Sequence, residues 1–191
     1  MRPGALAGVL LVTLSVLGAV ALGAPESRTV PSHAAASPPA AAAGTAEARS
    51  AGRRALALVA RPDELGYELR FAPARADVRA QTDRRTRVIT VFVRPDDAPH
   101  RTAHDIAHEL GHAWDDRHGT ASGRAAYLRL RGRPGARWWP AGAHADYATG
   151  AGDFAEVFAR CHAASPDFRS RLAALPADAC ALLPADARSD P

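Results

Sequence analysis

The sequence contains no lysine, so all 24 of its basic residues are arginine. We attribute this absence to the coding bias of a GC-rich genome. Aromatic residues make up only 6% of the chain, and the arginines are scattered rather than interleaved with them. A nucleic-acid-binding surface usually needs such interleaving. The net charge of +4 and the pI near 9.8 therefore indicate a solvated basic surface, and we expect no nucleic-acid partner.

The first 24 residues have the layout of a secretory signal. Arg2 supplies the positive start, an apolar run extends from residue 6 to 22, and small residues close it. The run is nearly long enough to span a bilayer, so an uncleaved N-terminal anchor is the alternative. We expect a secreted, extracellular protein or, if the segment is retained, a membrane-anchored protein that faces outside. No stable membrane partner is expected otherwise.

Residues 25–51 are rich in Ala, Pro, Ser, Gly and Thr and contain almost no large apolar side chain. Such a segment cannot bury enough surface to fold by itself. It is predicted to be either a disordered linker or a pro-segment, and the sequence does not distinguish the two. The folded domain is predicted to cover residues 52–188.

Cysteine is scarce as well, with only Cys161 and Cys180 in the chain. In an oxidising compartment the pair is expected to form one disulfide. The chain-entropy estimate for a loop of this length is about 3 kcal/mol.

Periodicity predicts the elements of a mixed α+β fold. Residues 67–71 alternate apolar and polar side chains, and residues 76–82 are a weaker strand candidate. Residues 87–93 are the strongest candidate, because they are β-branched and aromatic. Residues 53–60 and 121–130 are predicted helices. We expect a small mixed sheet packed on a central helix and followed by a mainly helical C-terminal part, the arrangement called zincin-like. Whether 88–93 is the edge strand stays open.

The central helix carries the most informative motif in the chain. Its apolar residues recur at three-to-four spacing, Thr102 is the expected N-cap and Gly119 the expected stop. His108, Glu109 and His112 form the His-Glu-x-x-His pattern of zinc hydrolases. Histidines four apart lie on one helix face, so both rings can reach one ion.

The identity of the third metal ligand stays open at this point. His118 has the spacing of a third metzincin histidine, but Asp115 stands where metzincins have glycine. Metzincins also need a methionine turn, and the only methionine is Met1. The other candidates are acids in the later predicted helix, Asp153 and Glu156.

A wider set of residues extends the motif. The stretch His-Glu-Leu-Gly-His-Ala-Trp-Asp-Asp at 108–116, then Tyr147, then Asp-Phe-Ala-Glu-Val-Phe at 153–158 resembles the catalytic core of gluzincin-like metalloendopeptidases of the anthrax lethal factor and Pro-Pro endopeptidase type. The resemblance covers residues 104–160. It implies that His108 and His112 bind zinc, that Glu109 is the general base and that Tyr147 donates to the oxyanion.

The resemblance departs from the family pattern at the third ligand. In the family the ligand glutamate stands four residues before the second acid of the later helix, and that position is Gly152 here. Glu156 matches the second acid, which orients a metal-binding histidine. We therefore expect Asp153 to be the third ligand, with Glu156 in the supporting role or as the alternative ligand. A missing third ligand is the remaining possibility.

Other residues near the motif are expected to play no part in it. His104 lies one turn before His108 and is expected to be exposed, and His144 is expected to be solvated. Trp138 and Trp139 are expected to fill the core, unless exposure makes them a wall of the substrate cleft.

These observations predict a secreted zinc metalloendopeptidase. A zinc-activated water would attack the peptide bond, Glu109 would take its proton and Tyr147 would stabilise the oxyanion. The expected partner is a peptide or protein substrate. The alternative is a catalytically inactive, zinc-stabilised extracellular binding module of the cell envelope.

Overall fold

The computed structural model describes residues 40–60, 65–141, 146–163 and 165–188. The predicted secretory signal and His144 lie outside this part of the chain. Its helices are α1 (Ala40–Leu56), α2 (Pro99–His118), α3 (Ala121–Leu130) and α4 (Gly150–His162), and its strands are β1 (Glu68–Pro73), β2 (Ala80–Asp83) and β3 (Val88–Val93). One short 3-10 turn, Asp146–Ala148, precedes α4, and two more, Ala179–Leu182 and Ala185–Ala187, follow it. The fold is therefore mixed α+β, as the sequence predicts.

The three strands form one sheet in the order β1-β3-β2. Strand β3 pairs parallel with β1 and antiparallel with β2. Its alternating burial sends Ile89, Val91 and Val93 into the core, which is why β-branched residues dominate it. The strand at 88–93 is thus central, and β2 is an edge strand that lies beside α2.

Helix α2 is buried along most of its length, from Thr102 to Asp115. The helix begins at Pro99, three residues before the predicted cap, because proline fits the first turn of a helix. Thr102 is therefore an interior residue and caps nothing. Helix α4 lies against α2 at Gly111, where a Cβ atom would stand 2.9 Å from the Ala155 Cα atom. The absent side chain lets the two helices approach closely.

Helix α1 corrects the predicted start of the folded part. The sequence predicts a disordered segment up to residue 51 and a short helix over 53–60, whereas α1 already begins at Ala40 and ends at Leu56. Small residues that look like linker composition instead form a packing face, with Ala48 and Ala55 buried. Gly52 allows the Phe71 ring of β1 to lie against the helix.

Cys161, near the end of α4, is bonded to Cys180 in the C-terminal segment. The predicted disulfide is therefore confirmed, and it encloses most of the coil that follows α4. Within the residues described, no helix combines the length and the apolar character needed to cross a bilayer.

Candidate metal centre

Two histidines of α2 and one aspartate from a distant turn converge on one point. Nε2 of His108 lies 3.0 Å from Oδ2 of Asp146, and Nε2 of His112 lies 3.1 Å from the same oxygen. The potential ligand atoms of the three side chains all lie within 4.8 Å of one another. Imidazole nitrogen and carboxylate oxygen are common ligands of zinc in proteins. This cluster could bind a metal ion, although the geometry does not select which one.

The turn that carries Asp146 is fixed by the start of α4. Thr149 caps this helix, since its side chain accepts from the Gly152 amide and donates to the Asp146 carbonyl oxygen. A Cβ atom on residue 152 would lie 2.2 Å from that carbonyl oxygen and 2.7 Å from Asp146 Oδ2. The absence of a side chain at Gly152 therefore makes room for Asp146. Gly152 stands where the gluzincin-like pattern has its ligand glutamate. In this chain the missing side chain at that position leaves space for Asp146 to lie beside the histidines.

Glu156 supports the cluster from behind. Its Oε1 atom lies 2.8 Å from Nδ1 of His108 and 3.1 Å from Nε2 of His104. When His108 donates from Nδ1, its Nε2 atom keeps a lone pair for a cation, so Glu156 fixes both the tautomer and the ring orientation. His104 is fully buried rather than exposed as expected, because its ring is enclosed beside Glu156.

The acids around the histidines remain ionised. Burial opposes the charge on Asp146, but the contacts of this carboxyl with the His108 and His112 rings outweigh burial and hold its pKa far below the ordinary value. The pKa of Glu156 is lowered in the same way by His104 and His108, again against burial. Both carboxylates therefore carry a negative charge where a cation would sit or beside its ligand.

Asp153, the expected third ligand, is bound elsewhere. Its carboxylate accepts from the Tyr127 hydroxyl at 2.7 Å and forms an ion pair with Arg131 at 2.6 and 3.0 Å. Ser170 also donates to it. Burial and the Asp153 charge raise the pKa of Tyr127, so the phenol keeps its proton and donates. The structure therefore replaces Asp153 by Asp146 in the candidate ligand set, and Asp153 joins α4 to α3.

The two residues expected to act on substrate both lie at this centre. Oε2 of Glu109 accepts from the Thr82 hydroxyl of β2 at 2.6 Å, so the edge strand orients the expected general base. Tyr147 follows Asp146 directly, and its ring centroid lies 5.3 Å from that of His108. Glu109 and Tyr147 thus border the same space as the metal cluster.

That space is a cleft of about 580 Å³ between β2, α2 and the segment that leads into α4. Trp139 forms part of its wall, with its ring centroid 6.3 Å from that of His112. Trp138 behaves differently, since its indole N–H donates to buried Asp115 and its ring packs against Phe154. Of the two tryptophans, therefore, half-buried Trp138 packs against the core and Trp139 lines the cleft. His118, the metzincin-type candidate, is exposed and stacks on Trp114 away from the cluster.

A coil segment after α4, residues 167–172, ties several of these parts together; we call it the strap. The Arg169 amide donates to Glu156, Ser170 donates to Asp153, and the Arg171 amide donates to the carbonyl oxygen of Tyr147 at 2.7 Å. The strap lies within the loop that the disulfide closes. The sequence contains no recognisable signal for it.

Asp146 is the functional candidate that sequence reasoning missed. One signal was available, because Asp146 directly precedes the tyrosine that the resemblance identified. Spacing within the later helix directed attention to Asp153 instead. Comparison with known proteins adds no further assignment: no family model, no curated protein and no solved structure matches this chain.

Proposed function

We propose that the protein is an exported zinc metalloendopeptidase. The convergence of His108, His112 and Asp146 around one point, beside Glu109 in an open cleft, is the observation that carries this proposal. The disulfide is compatible with an extracellular location. The zincin-type arrangement of sheet and helix belongs to the same proposal, supported by the edge strand that lies beside α2.

The residues fit zinc in number and chemistry. A catalytic zinc site has three protein ligands and keeps one position open, and the cluster offers two imidazoles and one carboxylate at the border of a cleft. Zinc bound there would supply a Lewis acid that makes water reactive near neutral pH. The buried Glu156 behind His108 is the kind of orienting partner that such ligands have.

Each remaining part of the reaction falls to a residue of the chain. Glu109 takes the proton of the attacking water and returns it to the leaving amine, and Thr82 holds its carboxylate in place. The Tyr147 hydroxyl donates to the oxyanion that forms at the scissile carbonyl. The free edge of β2 offers backbone groups for pairing with an extended peptide.

The test compares Glu109→Gln with wild-type protein and with Glu47→Gln, a control at an exposed glutamate of α1. Zinc content is measured by elemental analysis and hydrolysis by mass spectrometry of casein digests, with and without a chelator. We expect about one zinc per chain in all three proteins. Hydrolysis should fall about 100-fold or more in Glu109→Gln, as for loss of a general base, and should be unchanged in Glu47→Gln.

Two results would contradict the proposal in different ways. Zinc binding without hydrolysis in wild-type protein would favour the binding module. Hydrolysis that resists chelation, or that Glu109→Gln leaves intact, would exclude the proposed chemistry.

A further inference from the structure

The cleft contains an arginine that the fold does not neutralise. The Arg84 side chain is exposed, and its Cζ atom lies 3.9 Å from the centroid of the Trp139 ring. Among the residues that the structure describes, no carboxylate forms an ion pair with it. Arg79, the other arginine of the cleft wall, is held by Asp97 and Asp105. Among the described residues of the cleft wall, Arg84 is therefore the arginine whose positive charge no carboxylate pairs.

Stacking on an aromatic ring prepares a guanidinium for binding. The ring covers one face of Arg84 by a cation–π contact and restricts the side chain, while the N–H groups at the edge stay available. A carboxylate accepts two such N–H groups in parallel, a geometry that the point charge of an ammonium does not match. The chemical class that fits this arrangement is a carboxylate.

The position of the pair relates it to the reacting centre. Trp139 is close to both groups: its ring centroid lies 3.9 Å from the Arg84 Cζ atom and 6.3 Å from the His112 ring centroid, so the guanidinium is no farther from that histidine ring than these two distances together. An extended peptide rises about 3.3 Å per residue, which places Arg84 within about three residues of the scissile bond. Arg84 follows β2 directly, whereas Asp77, another cleft residue, precedes the strand. The charge of the cleft therefore changes sign along its edge strand.

We propose that Arg84 and Trp139 form a subsite for an acidic side chain, so that the substrates are peptides with Asp or Glu close to the cleaved bond. This inference rests on the proposed function, because only a peptidase would cleave the bound peptide. Binding of an acidic peptide requires only the cleft. A peptide that pairs antiparallel with β2 would place the acidic residue on the N-terminal side of the bond.

The experiment profiles cleavage sites in a peptide library made from a digested proteome, using wild-type protein, Arg84→Ala and Arg85→Ala. Arg85 is the matched control, because it is the next residue in the same turn, is exposed and lies outside the cleft. We expect Asp and Glu to be enriched at one fixed position in the wild-type and Arg85→Ala profiles. The enrichment should fall about tenfold in Arg84→Ala.

A second measurement does not depend on hydrolysis. Fluorescein-labelled Ala-Ala-Asp-Ala-Ala and its Asn counterpart are titrated with the Glu109→Gln protein and followed by anisotropy. The Asp peptide should bind about tenfold more tightly than the Asn peptide. The double variant that carries both Glu109→Gln and Arg84→Ala should bind the two peptides equally. Trp139→Ala should reduce the difference between the peptides as well, because the guanidinium loses its support.

The outcomes separate the two proposals. Cleavage without an acidic preference, or equal losses in Arg84→Ala and Arg85→Ala, would overturn the subsite and leave the peptidase standing. Arg84-dependent binding of the Asp peptide by a protein that cleaves nothing would support the subsite and reject the peptidase.

Discussion

The two sides of the candidate centre are built in different ways. One side is a single helix, α2, on which His108, Glu109 and His112 follow from the helical repeat alone. The other side is assembled from a 3-10 turn, the first turns of α4 and the strap, which are held by side-chain and backbone hydrogen bonds. A continuous helix fixes the positions of its side chains through local geometry. The positions of the side chains on the opposite side depend on the tertiary contacts between the turn, α4 and the strap.

Helix α4 shows how much that arrangement decides. Asp153 and Glu156 lie one turn apart and are both fully buried, yet only Glu156 contacts a histidine of the cluster. Asp153 is instead bound by Tyr127 of α3 and by Arg131, which directly follows that helix. Two equally buried acids of one helix therefore have different partners. Asp153 forms an ion pair that links secondary-structure elements, and Glu156 contacts a histidine of the candidate metal cluster. The predictions below test this division.

The largest effect is expected from Asp153→Asn. The substitution leaves Arg131 buried without its ionic partner, and a broken buried pair costs about 3–5 kcal/mol. The free energy of unfolding, measured by urea denaturation in the presence of a chelator that removes metal, should fall by that amount. Asp178→Asn, at an exposed site, is the control and should change little. If the folded fraction of Asp153→Asn lost its zinc affinity, the assignment of Asp153 to the fold would be wrong.

Asp146→Asn should show the reverse pattern. The Asp146 side chain is 30% exposed, whereas that of Asp153 is fully buried, so Asp146→Asn should lower the unfolding free energy of the protein in chelator by less than Asp153→Asn does. Zinc affinity should fall more than about 100-fold, because a ligand contributes more than the partners that orient it. Competition with a chromophoric chelator measures the affinity. A zinc affinity close to wild type would remove Asp146 from the ligand set.

The sequence was informative wherever structure follows from local spacing. The helix with His108 and His112 follows from a helical repeat, and the strand at 88–93 follows from a run of β-branched and aromatic residues; both are present. The disulfide needed no spacing argument, because only two cysteines were available. The orienting role inferred for Glu156 also agrees with its contact to His108.

The rest depended on contacts that no local repeat encodes. Asp146 lies beside the histidines because of a capped turn, and Asp153 is bound by Tyr127 and Arg131, which come more than twenty positions earlier in the chain. The start of α1 was missed because alanine-rich composition is shared by linkers and by helices that pack closely. In each case the missing information was the identity of a distant partner.

The smallest predicted effect concerns Gly152, which has no side chain that could bind a metal ion. Alanine in a helix normally gains up to about 1 kcal/mol over glycine, and Gly44→Ala in α1 should show this, since its nearest neighbour is 4.0 Å away. At Gly152 the added Cβ atom would collide with the backbone of Asp146. We expect Gly152→Ala to displace the turn and lower zinc affinity about tenfold, within the range for partners that orient ligands. Because the collision involves backbone, a side chain at 152 and this position of Asp146 exclude each other. If Asp146 is the third ligand, zinc binding therefore depends on the absence of a side chain at position 152, and unchanged zinc affinity in Gly152→Ala would contradict that dependence.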